Sequence, residues 1–248
     1  MIVVRGVREL RPEHGRLFIV LGVFDGLHLG HAYLLEALKV AAEAHRARPT
    51  VITFDHHPDE ILTGSAPPLL LDPEERLERL REAGVEVTVV QHFDLETRQT
   101  PYDVFIGEIA ERVDLAGFLM TPESSFGYER GGTPATVAAL GRQLGYDVVV
   151  APTLELEGRP VRSAEIRAAI GRGDVAAATR LLGRPYAISG AVDATGQLHV
   201  PMPVALPPPG RHPVSIDGRD LDLEIDPDGA MHLAANAVAV PTARVVFR

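Results

Sequence analysis

Two histidines and an aspartate occur close together in a glycine-rich stretch near the N-terminus. Asp25, His28 and His31 belong to the sequence GVFDGLHLGH, residues 22–31. Imidazoles can donate hydrogen bonds to phosphate oxygens and stabilise negative charge that develops in a transition state. Glycines let the backbone approach a ligand closely. The stretch therefore predicts a site for phosphate chemistry; the alternative is a structural turn with two solvent-exposed histidines.

The flanking residues predict that a strand enters this stretch and a helix leaves it. Residues 17–21 form an apolar run typical of a strand that is buried on both faces. After His31, apolar residues return at helical spacing, at Leu34, Leu35, Leu38, Ala41 and Ala42. The N-terminus of such a helix presents unpaired N–H groups and the positive end of its dipole, which suits a phosphate.

The composition limits the class of protein. The chain has 248 residues, of which 46% are hydrophobic, a net charge of −10 and no cysteine. This length allows one large domain, or a medium domain with a small one. The lack of cysteine excludes disulfides and thiol catalysis and is typical of the reducing cytoplasm, where we expect the protein.

Charge and hydropathy also limit the partners. Lys and Arg form no cluster interleaved with aromatic residues, so we expect no nucleic-acid partner. We expect no membrane partner, because no apolar run is long enough to span a bilayer and the N-terminus lacks a signal-peptide pattern. An acidic protein can still bind an anionic substrate at a locally positive site. The sequence leaves open whether the protein forms a weak homo-oligomer.

Apolar runs alternate with helical patterns through the first two thirds of the chain. This rhythm predicts an α/β fold with a Rossmann-like, doubly wound parallel sheet. Further strands are predicted over residues 51–54, 85–90, 117–120 and 148–150, and further helices over 72–83, 101–113, 133–144, 163–170 and 174–182. We expect Asp72 to cap the second helix and Thr100 the third. Ligands in such sheets bind at the carboxyl ends of strands, where the histidine stretch lies.

The sequence changes character after Tyr186. Helical spacing stops, Pro and Gly become frequent over 201–210, and short β segments are predicted at 187–192, 212–216, 221–225, 231–234 and 243–247. We therefore predict a first domain over residues 1–186 and a small β-barrel-like domain over 187–248.

Two further motifs contain residues that could contact a ligand. The sequence TFDHHP, residues 53–58, places Asp55, His56 and His57 together, but adjacent residues of these types are weak evidence for a metal, and we assign no metal ligand. The sequence RSAEIR, residues 162–167, starts a predicted helix. Either Ser163 caps that helix, or Ser163 and Arg167 hold nucleotide phosphates.

The stretch over 22–31 matches throughout the G-x-F-D-G-x-H-x-G-H signature of the FAD synthetase (FMN adenylyltransferase) module of bacterial bifunctional riboflavin kinase/FAD synthetases, within the H-x-G-H nucleotidyltransferases. The chain resembles this family from about residue 1 to 186. Residues 53–58 are similar to the family's T-F-D-P-H-P. Residues 162–167 resemble its S-S-T-x-I-R, with Arg162 and Ala164 in place of two hydroxyl-bearing residues.

A fourth segment, TPESSFGYERGG over 121–132, resembles the family's G-x-D/N-F-x-F-G-x-x-x-x-G, which contacts the flavin. Phe126, Gly127 and Gly132 match, whereas Thr121 and Ser124 replace a glycine and an aromatic residue. The segment therefore departs most from the family where the flavin is expected.

The resemblance implies an enzyme that transfers the adenylyl group of ATP to FMN and releases pyrophosphate, with Mg²⁺ as the metal and these small molecules as its partners. The implied catalytic residues are His28, His31 and Arg167. The implied ATP-binding residues are Gly22, Phe24, Asp25, Gly26, Gly30 and Ser163. The implied flavin-binding residues are Phe54, Asp55, His57, Pro58, Glu123 and Phe126.

The family also implies a riboflavin kinase barrel after the first domain. Its glycine loop and P-T-A-N motif are expected directly after residues 187–192, but residues 193–205, DATGQLHVPMPVA, contain neither. We therefore expect a shortened barrel without kinase activity. Two alternatives stay open: a nucleotidyltransferase with another acceptor or nucleotide, and a flavin- or nucleotide-binding protein without catalysis.

Overall fold

The structure, a computed structural model, describes residues 1–233 and 239–248. Its contacts divide the chain into two compact units. The first unit comprises Met1–Phe24, Gly30–Pro67 and Leu77–Leu154, and the second comprises Asp25–Leu29, Pro68–Arg76 and Glu155–Arg248. In the described residues, the helices are too short or too polar to cross a membrane.

The first unit is built on a six-stranded sheet. Its strands are β1 (Ile2–Arg5), β2 (Arg16–Leu21), β3 (Arg48–Phe54), β4 (Val87–Gln91), β5 (Asp114–Met120) and β6 (Asp147–Val150). Their order is β1-β4-β3-β2-β5-β6, and each neighbouring pair is parallel. The predicted doubly wound parallel sheet is confirmed.

The direction of winding reverses between β2 and β5. From β2 the chain first builds outward through β3 and β4, and then adds β5 and β6 on the other side. Connections that leave in opposite directions open a crevice at the carboxyl ends of the two strands. The glycine-rich stretch starts at the carboxyl end of β2.

Helices connect these strands and bury their faces. They are α1 (Leu29–Ala44), α2 (Pro58–Thr63), α3 (Pro73–Glu82), α4 (Leu95–Gln99), α5 (Tyr102–Ala110) and α6 (Pro134–Leu144). Ile19 and Val89 of the sheet and Ile106 of α5 belong to one core cluster and are fully buried. β2 is buried along four consecutive residues, as its apolar run predicts.

Helix caps explain one correct and one wrong boundary. Asp72 caps α3 as predicted, and its Oδ1 accepts hydrogen bonds from the N–H groups of Glu74 at 2.8 Å and Glu75 at 3.2 Å. The prediction that Thr100 caps the next helix is wrong. Asp94 caps an additional helix, α4, and Thr100 follows its last turn, where its hydroxyl donates to the Glu96 carbonyl at 2.8 Å.

In its described residues, the second unit contains two helices of its own and an antiparallel barrel. Its helices are α7 (Ser163–Gly171) and α8 (Val175–Leu182), and its strands are β7 (Glu155–Leu156), β8 (Arg159–Pro160), β9 (Ala187–Val192), β10 (Leu198–His199), β11 (Gly210–Ile216), β12 (Arg219–Ile225), β13 (Met231–Leu233) and β14 (Val240–Phe247). The last six strands are antiparallel in the order β10-β9-β14-β11-β12-β13. A bridge between Gln197 and His232 joins the two edge strands, so the barrel is nearly closed.

The predicted small β domain is confirmed as a barrel. Its interior is apolar, with Val214, Leu223 and Val245 fully buried, and residues of α7 and α8 belong to the same core cluster. The predicted strand over 231–234 is observed as β13, and Ala234 lies outside the described residues. β9 begins directly after Tyr186, and the proposed domain boundary there stays a prediction.

Candidate active site

The glycine-rich stretch leaves β2 with an unusual backbone. Phe24 and Leu27 have positive φ angles of 54° and 39°, and Gly26 has a φ of 81°. Positive φ is uncommon in residues with side chains, and it persists where the surrounding structure enforces it. Such backbone strain is concentrated at functional sites, so this loop is the first candidate.

Asp25 anchors this loop within the second unit. Its side chain is 4% exposed, and the N–H of Leu70 donates to its Oδ1 at 3.0 Å and its Oδ2 at 3.2 Å. Arg167 forms an ion pair with Oδ2. The carboxylate predicted to contact ATP thus makes its observed contacts with the protein, where it fixes the loop.

Arg167 and Ser163 on α7 contact the same loop. The Nε of Arg167 donates to the Pro68 carbonyl at 2.7 Å, in addition to the ion pair with Asp25. The Ser163 hydroxyl donates to the Asp25 carbonyl at 2.9 Å. The alternative that Ser163 caps α7 is wrong, because Arg162 occupies the N-cap position. The observed contacts of both residues position the loop.

His28 is buried in the second unit and is 4% exposed. Burial lowers the pKa of its imidazole to about 4, and the positive charges of Arg184 and Arg167 add to this effect. The ring is therefore neutral near pH 7, with one nitrogen that donates a hydrogen bond and one that accepts. A neutral ring can stabilise a phosphate by hydrogen bonding without carrying a buried charge.

Arg184 is a site residue that the sequence did not predict. Its Nη2 donates to the Gly26 carbonyl at 2.6 Å and its Nη1 to the Leu27 carbonyl at 3.1 Å. Both acceptors belong to the two residues before His28, and both of these residues have positive φ. The signal that could have identified Arg184 is its place in a Gly-Arg-Pro turn directly after a predicted helix.

The two ends of the histidine stretch, residues 22–24 and 30–31, belong to the first unit. The N–H of Gly22 donates to the Ile52 carbonyl at 3.0 Å, which continues the sheet pairing past β2. Phe24 is 1% exposed, and its ring lies 5.0 Å from that of His31 between centroids. Gly30 and His31 lie in the first turn of α1. The buried ring of Phe24 thus supports His31.

A cavity of about 740 Å³ lies at the reversal between β2 and β5 in the first unit. Five of the predicted site residues line it: Gly22, Phe54, Pro58, Glu123 and Phe126. Phe93 also lines it and packs edge-on against Phe54, with the ring centroids 5.3 Å apart. Its volume is within the usual range for small-molecule and cofactor sites.

Asp55 and His57 do not line this cavity. Asp55 lines a smaller cavity of about 400 Å³, where its Oδ2 lies 2.6 Å from Nδ1 of His92. His57 caps α2, because its Nδ1 accepts a hydrogen bond from the N–H of Asp59 at 3.2 Å. The structure therefore brings His92, and not His57, to Asp55.

The segment over 121–132 packs against the start of α5. A Cβ added to Gly127 would lie 2.6 Å from the backbone nitrogen of Tyr102, and one added to Gly132 would lie 2.7 Å from its Cβ. Close approach to Tyr102 thus explains both glycines. At the positions that depart from the family, the N–H of Thr121 donates to Oγ of Ser124 at 2.8 Å.

Comparisons with known proteins agree with the resemblance. A family model described as FAD synthetase matches residues 10–165. The chain is 31% identical over 193 residues to a bifunctional riboflavin kinase/FMN adenylyltransferase from Pseudomonas fluorescens, and 30% identical over 196 residues to one from Escherichia coli K12. Each match covers 77% of this chain and 62% of the relative, so the chain spans less than two thirds of these curated relatives.

A solved structure has a similar fold. The crystal structure of a Streptococcus pneumoniae protein, named a macrolide-efflux protein, aligns with a TM-score of 0.82 and 22% identity. The alignment covers 99% of this chain and 88% of that one. At this identity the likeness shows the fold alone.

Proposed function

Because this chain belongs to the FAD synthetase family, we propose that it transfers the adenylyl group of ATP to FMN. A phosphate oxygen of FMN attacks the α-phosphorus of ATP in line, the bond from that phosphorus to the bridging oxygen breaks, and pyrophosphate leaves. The products are FAD and pyrophosphate. The reaction needs no protein nucleophile, since positioning and charge stabilisation provide the rate.

The cavity at the reversal between β2 and β5 carries this proposal. It is large enough for a cofactor, and Phe54, Phe93 and Phe126 provide aromatic surface for a flavin ring. It also brings together residues from three separate stretches of sequence that the family resemblance assigns to ligand binding. We therefore assign FMN to this cavity.

We assign phosphate stabilisation to the histidine stretch. His28 is neutral near pH 7 and can donate a hydrogen bond to a phosphate oxygen as negative charge develops on it. His31 contributes from the first turn of α1, where helix N–H groups also favour an anion. Arg167 acts as a positioning residue, because its observed contacts are with Asp25 and Pro68.

Mg²⁺ fits this scheme as a partner of the ATP phosphates. It prefers oxygen ligands, and it is commonly held by phosphates and water with one or two carboxylates. The Asp25 carboxylate already accepts bonds from Leu70 and Arg167, so it is poorly suited as a further ligand. Mg²⁺ that enters with ATP would neutralise charge on the triphosphate.

The experiment that tests the proposal replaces His28. We expect His28→Ala and the more conservative His28→Asn to lower adenylyl transfer at least about 100-fold, the scale for one lost transition-state donor. His199→Ala is the matched control, because that side chain is 54% exposed and lies on the barrel. Circular dichroism would show that the variants fold. Near-normal transfer by folded His28→Asn would contradict the role.

One observation favours a second candidate. Thr121 and Ser124 form hydrogen bonds with each other at positions where the family has a glycine and an aromatic residue. The segment over 121–132 therefore offers polar groups where the family offers an aromatic ring. The same reaction with another acceptor or nucleotide is the alternative. Pyrophosphate release measured over a panel of nucleotides and acceptors would distinguish the two, and binding of ATP and FMN without turnover would indicate a non-catalytic protein.

A further inference from the structure

Three side chains outside the larger cavity meet at the carboxyl edge of the first sheet. Asp55 and His56 directly follow β3, and His92 directly follows β4. The two strands are parallel neighbours, with Phe54 opposite Gln91. Their carboxyl ends therefore place an aspartate and two histidines side by side.

The distances within this group suit a metal ion. Asp55 Oδ2 lies 2.6 Å from Nδ1 of His92, and its Oδ1 lies 3.1 Å from Nδ1 of His56. One ligand atom from each residue lies within 4.8 Å of the other two. Metal–ligand bonds of about 2.0–2.2 Å place neighbouring ligands roughly 3–3.5 Å apart, so small side-chain rotations suffice.

Exposure makes those rotations easy and leaves room for water. The side chains of Asp55, His56 and His92 are 31%, 54% and 63% exposed. A site with three protein ligands keeps further coordination positions for water, as open zinc sites do.

The backbone beneath the group is held in place. The N–H of Asp55 donates to the Gln91 carbonyl at 3.2 Å. The His92 carbonyl accepts from the Thr97 hydroxyl at 2.9 Å and from Nε2 of Gln91 at 3.1 Å. These bonds fix the backbone from which the side chains of Asp55 and His92 project.

The surrounding charge favours a cation. The 400 Å³ cavity that contains Asp55 and His92 is also lined by Asp94, Glu96 and Glu108, against two arginines, Arg5 and Arg8. Arg8 pairs with Glu96 at 2.7 Å and with Glu108 at 3.2 Å. Four carboxylates against two guanidinium groups leave the cavity negative.

We propose that Asp55, His56 and His92 bind a divalent transition-metal ion of the zinc type. Two imidazole nitrogens and one carboxylate select such ions over Mg²⁺, which prefers oxygen ligands. The site is therefore separate from the Mg²⁺ that the proposed reaction uses.

The test measures Zn²⁺ binding to the full chain without an affinity tag, by isothermal titration calorimetry. We expect one ion per chain, and an affinity lowered at least about tenfold in His56→Gln and in His92→Gln. His199→Gln is the matched control: His199 lies 2.8 Å from Asp193, but among the described residues it belongs to no three-residue group of this kind. This variant should bind Zn²⁺ as the unmodified chain does.

Co²⁺ provides a second readout on the unmodified chain. The visible absorption of bound Co²⁺ depends on its nitrogen and oxygen ligands. Bands from the unmodified chain would therefore show the site without any substitution that could affect folding. Loss of those bands in His56→Gln and His92→Gln, with unchanged melting temperatures, would support the site. The proposal is overturned if both variants bind Zn²⁺ like the unmodified chain, or if that chain binds neither Zn²⁺ nor Co²⁺.

Discussion

The carboxylate of Asp25 and the guanidinium of Arg167 form a buried ion pair across 142 residues of sequence. Their side chains are 4% and 16% exposed. The same carboxylate accepts the N–H of Leu70, so the pair connects three segments of the second unit. This connection fixes the loop that carries His28.

The ion pair predicts a large loss of stability when one partner is removed. Arg167→Met would remove a guanidinium that pairs with a buried carboxylate, and we expect the free energy of unfolding to fall by about 3–5 kcal/mol in urea denaturation. Arg211→Met is the matched control, because Arg211 pairs with Asp222 at the surface, where the side chains are 70% and 38% exposed. We expect Arg211→Met to change the free energy of unfolding little. Equal effects of the two substitutions would contradict the role of the pair.

His28 predicts a specific dependence of stability on pH. Its pKa of about 4 in the folded chain lies below the ordinary value of 6.5, so the unfolded chain binds a proton first as the pH falls. The contribution of neutral His28 to the free energy of unfolding is complete at pH values above its ordinary pKa of 6.5, and it is lost as the pH falls towards 4. Lowering the pH from about 7.5 to about 5 should therefore cost roughly 2 kcal/mol through this residue.

The comparison that isolates this effect uses His28→Asn, which does not titrate in this range. Urea unfolding of both proteins over the same pH values should show a steeper loss in the unmodified chain. Parallel curves would show that His28 is not buried in a neutral form.

Gly127 lines the 740 Å³ cavity and packs closely against Tyr102, so a larger residue there should disturb the cavity. In Gly127→Ala, the new Cβ meets the backbone nitrogen of Tyr102 at 2.6 Å, so the segment over 121–132 must move. We expect loss of stability together with weaker FMN binding, measured by calorimetry. Gly145→Ala is the control: its φ of 82° is close to the 74° of Gly127, but among the described residues nothing lies within 4 Å of the added Cβ. It should show only the smaller cost of backbone strain, with FMN affinity unchanged.

The residues after β9 in the barrel lead us to predict that the chain does not phosphorylate riboflavin. Where the family implies a glycine loop after β9, the residues turn back tightly, and Oδ1 of Asp193 accepts the N–H groups of Thr195 at 2.8 Å and Gln197 at 3.1 Å. We expect no FMN from riboflavin, ATP and Mg²⁺ by chromatography. A rate that is above background and proportional to protein concentration would refute this.

The sequence predicts best where a local pattern determines the structure. β2 is a continuous apolar run and α1 has a helical apolar periodicity, and Asp72 caps α3 as short-range rules require. By contrast, α4 has the polar sequence LETRQ and depends on Asp94 for its cap, so no apolar periodicity indicates it. β1 was not predicted either: it has only four residues, of which one is buried, and it lies at the edge of the sheet.

The site was harder to predict, because its contacts join distant residues. The type of Arg167 suggests a phosphate ligand, but its partner Asp25 is remote in sequence and only the folded second unit brings them together. His92 meets Asp55 because β3 and β4 are neighbours, which depends on strand order. Periodicity contains no information on either relationship.

The most direct test of the proposed function is mass spectrometry of the products formed by the purified chain from ATP, Mg²⁺ and FMN. We predict FAD and an equal amount of pyrophosphate, with both strongly reduced in His28→Asn. Unchanged FMN, from folded protein that binds both substrates, would contradict the account.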